Sequence, residues 1–379
     1  MRSLNIIQMI SSPWWTGASE PVLQLSLGLS NLGHNVDFSC ILGQELEKKA
    51  EEHGMNVIKE FVPTRKLNPF EIINFIFAFA KYLDDSKIDI IHTHLTADHW
   101  LATFSRMLAK NSPKIIRTIH NSRVSRSSIL DNFLLGKSSD KLIAVNRYIK
   151  DFLHRKLEIP YNKIDVVQGA VDLDKFNPKK RIENREIGRK ILGVDRETFV
   201  IGIVSRLAHD RGYHFLLEAY KKVSQDYENV KLVIIGKGEF LPNIENKVEQ
   251  LALNQRVSFA GYHEEDLVEV LSALDLFTLM APGSEGSCRA VLESMAMGLP
   301  NVVTNLKGLD EVVLNGENAY SVPYGNQKKL VESFEKMIVD ENLRNSFGRK
   351  GRIHVEELFH REYQSEKIET IYRETISFG

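Results

Sequence analysis

The chain has 379 residues, 43% of them hydrophobic and 26% charged, and its formal net charge is −1. That length suggests two domains of ordinary size, and the composition is that of a globular protein able to bury a core. A near-neutral balance without a basic stripe argues against a nucleic-acid partner, and two cysteines exclude a disulfide framework and point to a reducing, cytoplasmic compartment.

In chain order, the opening apolar run predicts a buried strand over Ser3–Met9, being too short for a secretion signal. A turn at Thr16–Gly17 follows, then a helix with Ser19 as N-cap, a core stripe of Val22, Leu25, Leu29 and Leu32, and a stop at Gly33. Gly17 would let backbone approach a ligand. A strand is expected at Asn35–Ile41. The apolar stretch Phe70–Ala80 falls short of the ~20 residues that span a bilayer. With the basic residues before it, Arg65–Ala80 fits either a core helix or a membrane-surface contact. Further strands are predicted at Ile88–His92, Lys114–Thr118, Lys141–Val145 and Ile164–Val167.

The polar stretch Asp172–Lys190, with Pro178, predicts a linker. Beyond it, strands are expected at Phe199–Val204, Lys231–Ile235, Val257–Phe259, Leu276–Leu279 and Asn301–Val303. Helical patterns lie between most strands, which is the signature of parallel sheets covered by helices on both faces. The fold class is α/β, with two doubly wound, Rossmann-like domains facing a central cleft. The boundaries expected are 1–180 and 181–359. Residues 1–180 carry 24 Lys and Arg against 19 Asp and Glu, so the first half is mildly basic and the second acidic. A basic half suits an anionic surface, although such asymmetry also arises without function.

In α/β sheets chemistry is sought in the loops after strands. Arg206 and Arg211 flank such a loop beside a helix start near Tyr213, and two cations at a helix N-terminus make an anion site. Gly236 and Gly238 follow the next strand, without the third glycine of a dinucleotide fingerprint. Lys137 lies in a Gly-Lys-Ser that lacks the upstream glycine of a phosphate loop. Gly308, before an apparent helix start at Leu309–Asp310, is a further anion-facing turn or a plain loop glycine. His92 and His94 share one strand face, but no Cys or acidic pattern accompanies them, so metal is not expected there. His120 lies past the end of a predicted central strand. Asp172 and Asp174 read as solvated turn carboxylates. Glu285 and Glu293 stand eight residues apart, ~12 Å along an unbroken helix, further than a general acid/base pair.

Together "SRLAHDRG", "EGSCRAVLE", "SMAMGLPNVVT" and "GLDEVV" resemble the C-terminal domain of the retaining glycosyltransferases of family 4, with the GT-B fold. "IIHTH", "TIHNS" and "DKLIAVNRYIKDFL" are similar to that family's first domain, and Phe359–Ile376 to its closing helices. The resemblance covers nearly the whole chain, and it implies that a C-terminal helix over 360–379 completes the first domain. It also implies a nucleotide-sugar donor, with UDP favoured over GDP, and transfer to a saccharide; the basic first half and the stretch Arg65–Ala80 point to a lipid-linked or cell-envelope acceptor such as a lipopolysaccharide. By the same resemblance, Glu285 contacts donor-sugar hydroxyls, Glu293 the ribose, Arg206 and Arg211 the diphosphate, and His120 the transferred sugar. Gly17 lies near the phosphates, and Gly236, Lys237, Tyr262 and His263 near the base. No cofactor or metal is implied. Departures are Arg211 where the family has Lys, and Gly286-Ser287-Cys288 where it has Gly-Phe-Gly. The altered loop leaves open a binding protein that no longer transfers, or an epimerase or phosphorylase on the same fold. Peripheral contact at the inner face of the membrane is a further expectation.

Overall fold

In the computed structural model, residues 2–12, 19–63, 68–120, 129–281 and 288–377 are described. The chain forms two compact units: Met1–Ala170 with Arg361–Gly379, and Val171–His360. The first break therefore falls ten residues before the expected boundary of 180, while the returning C-terminal helix belongs to the first unit.

The first unit is built on seven strands: β1 (Asn5–Ile10), β2 (Asn35–Cys40), β3 (Asn56–Val57), β4 (Ile90–Thr93), β5 (Lys114–Ile119), β6 (Lys141–Ala144) and β7 (Ile164–Val166). Their order is β3-β2-β1-β4-β5-β6-β7, every pairing parallel. The second unit has β8 (Phe199–Val204), β9 (Val230–Ile235), β10 (Val257–Gly261), β11 (Leu276–Leu279), β12 (Asn301–Thr304) and β13 (Tyr320–Val322), in the order β10-β9-β8-β11-β12-β13, again all parallel. Both are doubly wound sheets whose order reverses next to their first strand, and ligands of such sheets bind at that reversal. The strands β3 and β13 escaped the sequence reading, because two or three residues hold no detectable period.

The central strands are covered on both faces, so β4 is buried throughout. The helix Arg361–Ser377 places Ile368, Ile371 and Tyr372 in the core of the first unit. Its close approach to the helix Ser19–Asn31 needs a glycine: a Cβ on Gly28 would stand 2.0 Å from Ser365 Oγ. Leu32, predicted as part of the core stripe, is a correction: it is exposed, while Leu23, not in that stripe, is buried.

The expected linker is a correction. Residues Pro178–Leu192 form a helix, with Asn177 as N-cap, Pro178 in the first turn and Gly193 closing the C-terminus at φ +59°. Its inward stripe is charged rather than apolar, which hid it from a hydrophobic-period reading. Arg185 and Arg189 both bind Asp275, at 2.5 and 2.8 Å, and Arg181 donates to the carbonyl of Gly298. The helix expected at Leu309–Asp310 is instead a run of turns. Asp172 accepts from the backbone N–H groups of Asp174 and Lys175, as a turn carboxylate does.

The helix Pro69–Asp85 carries a capping box between Asn68 and Glu71. One face buries Phe75, Phe79 and Leu83; on another Phe70, Ile73 and Phe77 are 80%, 50% and 62% exposed. Among the described residues no helix is long and apolar enough to cross a membrane.

Candidate functional site

In the second unit the order reverses between β8 and β11, so the loops after β8, β11 and the neighbouring β9 share one end of the sheet. Arg206 and Arg211 sit in the first of these. Arg206 is exposed and 3.8 Å from Asp210, and Arg211, largely buried, is 3.5 Å from the same carboxylate. Asp210, which the sequence reading passed over, thus lies within ion-pair distance of both guanidinium groups and offsets one of their two charges, leaving the loop with a net positive charge. The helix Tyr213–Asp226 begins immediately beyond it. Its first-turn N–H groups have no intrahelical partner, so their partial positive charge adds to that of the arginines. Gly212 makes the turn possible: its φ is +70°, and a Cβ there would lie 1.8 Å from the carbonyl oxygen of Met280.

Gly236 and Gly238 have a structural reason of their own. Gly236 has φ +147°, and added Cβ atoms would stand 2.0 Å from the Ser205 carbonyl oxygen and 2.1 Å from that of Leu207. The glycines let the loop after β9 lie directly against the arginine loop, where Leu207 N–H donates to the Lys237 carbonyl at 3.0 Å. This contact brings Lys237 alongside Tyr262, with its ammonium 3.9 Å from the ring centroid. Tyr262 is half exposed and donates to Glu264 at 2.8 Å. His263 lies beside them, but both its ring nitrogens are engaged: Nδ1 by Asp266 at 2.9 Å, Nε2 by the Ala260 carbonyl at 2.9 Å. Lys237 and Tyr262 thus pair with one another, while His263 holds the loop through Asp266 and the Ala260 carbonyl.

Glu293 lies in the helix Cys288–Ala296, buried, and its carboxylate accepts from Arg289 Nε at 2.7 Å. Arg289, one turn earlier on the helix, is a partner the sequence reading did not single out. Glu285, Gly286 and Ser287 lie outside the described residues, as does Gly17; Cys288 is described only as the first residue of its helix. Gly308 has φ +90°, and its N–H donates to the Asp310 carboxylate at 3.1 Å, so it serves a turn.

In the first unit, His120 follows β5 and His94 follows β4, on neighbouring strands. His94 Nδ1 is 3.2 Å from His120 Nε2, and His94 Nε2 is 2.9 Å from Gln8 Oε1. His92 stacks on His94 with centroids 4.4 Å apart; its ring nitrogens face Tyr372 Oη at 2.6 Å and Thr118 Oγ1 at 2.7 Å. The pair His92 and His94 is thus committed to side-chain partners. Burial, with the Arg117 charge, lowers the pKa of His120 to about 4; burial, then His120 and Arg117, lowers that of His92 to about 3. His94 is held well below its ordinary value by burial first. Gln8 and Tyr372 were missed by sequence reasoning, though a lone glutamine inside "NIIQMI" signals a buried polar group in need of partners.

Two parallel Rossmann-like sheets, with an arginine pair and glycine-relieved turns at the order reversal of the second, define the GT-B class. A glycosyltransferase from Rickettsia africae superposes with a TM-score of 0.89 at 21% identity, covering 99% of both chains. An Anabaena protein, HepE, solved with UDP-glucose, superposes at 0.80 with 18% identity, over 99% of this chain and 100% of that one. Residues 15–175 match the Glycosyltransferase Family 4 model, and residues 184–354 match that of the Glycosyl transferases group 1. The chain belongs to glycosyltransferase family 4, and it is a glycosyltransferase. A UDP-Gal:alpha-D-GlcNAc-diphosphoundecaprenol alpha-1,3-galactosyltransferase of Escherichia coli is 26% identical over 83% of this chain and 84% of its own length.

Proposed function

We propose that the protein is a retaining, metal-independent glycosyltransferase that uses a UDP-sugar and builds a cell-envelope glycan on a lipid-linked acceptor. The observation that carries the reading is the arginine pair at a helix N-terminus, at the order reversal of the second sheet. A diphosphate leaving group gains negative charge as its bond to the anomeric carbon breaks. Fixed cations and helix N–H groups stabilise that charge without a metal. In the proposed reaction the bonding pair departs with the nucleoside diphosphate. The acceptor oxygen bonds to the same face of the anomeric carbon, and its proton passes to a phosphate oxygen of the leaving group. Glu285 holds donor-sugar hydroxyls, Glu293 the ribose, Lys237 with Tyr262 the base, and His120 the transferred sugar. UDP is favoured because the E. coli relative is named for UDP-Gal and the Anabaena neighbour was solved with UDP-glucose.

The lipid-linked acceptor is favoured by that relative's diphosphoundecaprenol substrate and by the apolar surface of the first unit. Phe70, Ile73 and Phe77 lie at helical spacing on the helix Pro69–Asp85, and Phe104, Met107 and Leu108 on the helix Thr96–Leu108 packed against it; all six are exposed. Phe104 and Phe133 stack on Trp100, at 5.5 and 6.0 Å. These two faces fit a membrane surface.

The test is thermal unfolding with UDP, GDP and their sugars, with and without EDTA, in wild type and Arg206→Ala. A ligand at a hundredfold excess over its Kd stabilises by about 2.7 kcal/mol. UDP is expected to raise the melting temperature regardless of EDTA, and Arg206→Ala, at an exposed position, to lose most of that shift. A shift with GDP alone would overturn the donor assignment. Dependence on a chelatable metal would overturn the metal-free mechanism.

A further inference from the structure

The polar cluster beneath His120 is unused by the mechanism above, yet it is fully buried. Gln8 comes from β1, His92 from β4, His94 from just beyond it, Thr118 from β5, and Tyr372 from the C-terminal helix; all five are at most 6% exposed. Their hydrogen bonds form one unbroken chain, so the proton positions follow from donor and acceptor rules. Gln8 Nε2 donates to Tyr372 Oη at 3.0 Å, and Gln8 Oε1 faces His94 Nε2 at 2.9 Å. An amide oxygen only accepts, so His94 carries its hydrogen on Nε2. A neutral imidazole has one N–H, which leaves His94 Nδ1 as an acceptor. The atom facing it at 3.2 Å is His120 Nε2, which must therefore donate. His120 then has a lone pair on Nδ1, for which the described residues supply no partner. At the other end, Tyr372 donates to His92 Nδ1 and His92 Nε2 donates to Thr118, which completes the chain.

Turning the Gln8 amide over would reverse every one of these bonds and move the His120 hydrogen to Nδ1. The orientation of one buried amide thus selects the tautomer of a ring two residues away in the relay. We propose that Tyr372, Gln8 and His94 are positioning residues that hold His120 as its Nε2–H tautomer, so that Nδ1 accepts a hydrogen bond from a hydroxyl of the transferred sugar. The C-terminal helix is part of this device, since Tyr372 supplies the hydroxyl that accepts from Gln8 Nε2 and passes the chain on to His92. The relay rests on the reading that places His120 at the donor sugar. A ring free to exchange tautomers would meet the hydroxyl with the wrong nitrogen part of the time.

The test uses the full chain with isotopically nitrogen-labelled histidine. The His120 ring signals are assigned by their loss in His120→Ala, and two-bond proton–nitrogen correlations show which nitrogen bears the hydrogen. Wild type is expected to show Nε2–H alone. Tyr372→Phe keeps the ring and removes the hydroxyl, so Gln8 is released and both tautomers appear; Gln8→Leu should do the same. In Tyr372→Phe, kcat should fall about fivefold to tenfold with the donor KM changed much less. An Nδ1–H ring in wild type, or a single unchanged tautomer and unchanged kcat in Tyr372→Phe, would overturn the relay. Full activity in His120→Ala would instead overturn the donor-site reading, and the positioning role with it. A crippled His120→Ala beside an Nδ1–H wild-type ring would overturn the relay alone.

Discussion

His92, His94, His99 and His120 are all held below the ordinary histidine value by burial, with Arg117 adding like-charge repulsion to each. Their unfolded values lie near 6.5, so below that pH the unfolded chain binds protons that the folded one does not. The stability they contribute is present above pH 6.5 and lost as pH falls toward 4. Asp98 acts in the opposite sense: burial raises its carboxyl to about 6, so its contribution is present at low pH and lost as pH rises through 6. Each group is limited to about 1.4 kcal/mol per pH unit, and four histidines outweigh one aspartate. The melting temperature is therefore expected to fall steadily from pH 7 to pH 4.5. A level profile over that range would show that these rings protonate without unfolding the first unit.

Among elements, the helix Pro178–Leu192 shows two physical effects in direct competition. Gly188 lies at its inner face, and a Cβ there would stand 1.8 Å from the carbonyl oxygen of Glu269 on the neighbouring helix. Helix propensity alone makes Gly188→Ala stabilising by about 1 kcal/mol. Overpacking a backbone contact costs about 1–3 kcal/mol, and a backbone oxygen cannot swing aside as a side chain can. Packing should win, so Gly188→Ala should lower the urea midpoint; a raised midpoint would mean that the helix stands clear of its neighbour. The caps of this helix, Asn177 and Gly193, are of the residue types that mark helix ends, yet the stretch reads as a linker in the sequence. Its buried face was hidden because Arg185 and Arg189 make it polar, and their charge is met by Asp275, distant in the chain, with backbone carbonyls taking further N–H groups. The glycines after β9 teach the reverse lesson. The sequence marks a tight approach there, and the structure shows that the approaching group is the neighbouring loop.

Over the whole molecule, the first unit carries both the basic excess and the exposed aromatic faces on Pro69–Asp85 and Thr96–Leu108. If those faces meet a membrane, wild-type protein should float with vesicles containing anionic lipid, and Phe70→Ser with Phe77→Ser should weaken flotation about tenfold or more. Burying a phenylalanine is worth about 1.5–3 kcal/mol, and both side chains are too exposed for the change to disturb the core. Equal flotation of the variant would remove the membrane role from these helices. The chain order also has a consequence at this scale. The first unit is completed by its last helix, so its core and its histidine relay close only after the second unit has been made.

The sequence by itself determined the alternation of strand and helix, the two parallel sheets, nearly every strand and the arginine loop. Those features are local, written in periodicity, caps and glycines within a few residues of one another. The tertiary structure decided what depends on partners distant in the chain. It tied Asp210 to both arginines, gave Gly236 and Gly238 their structural task and committed His263 to Asp266. It also set Gln8 against Tyr372, 364 residues away. Hydrogen bonds between buried side chains are fixed by strand order and packing, and no period along the sequence encodes them.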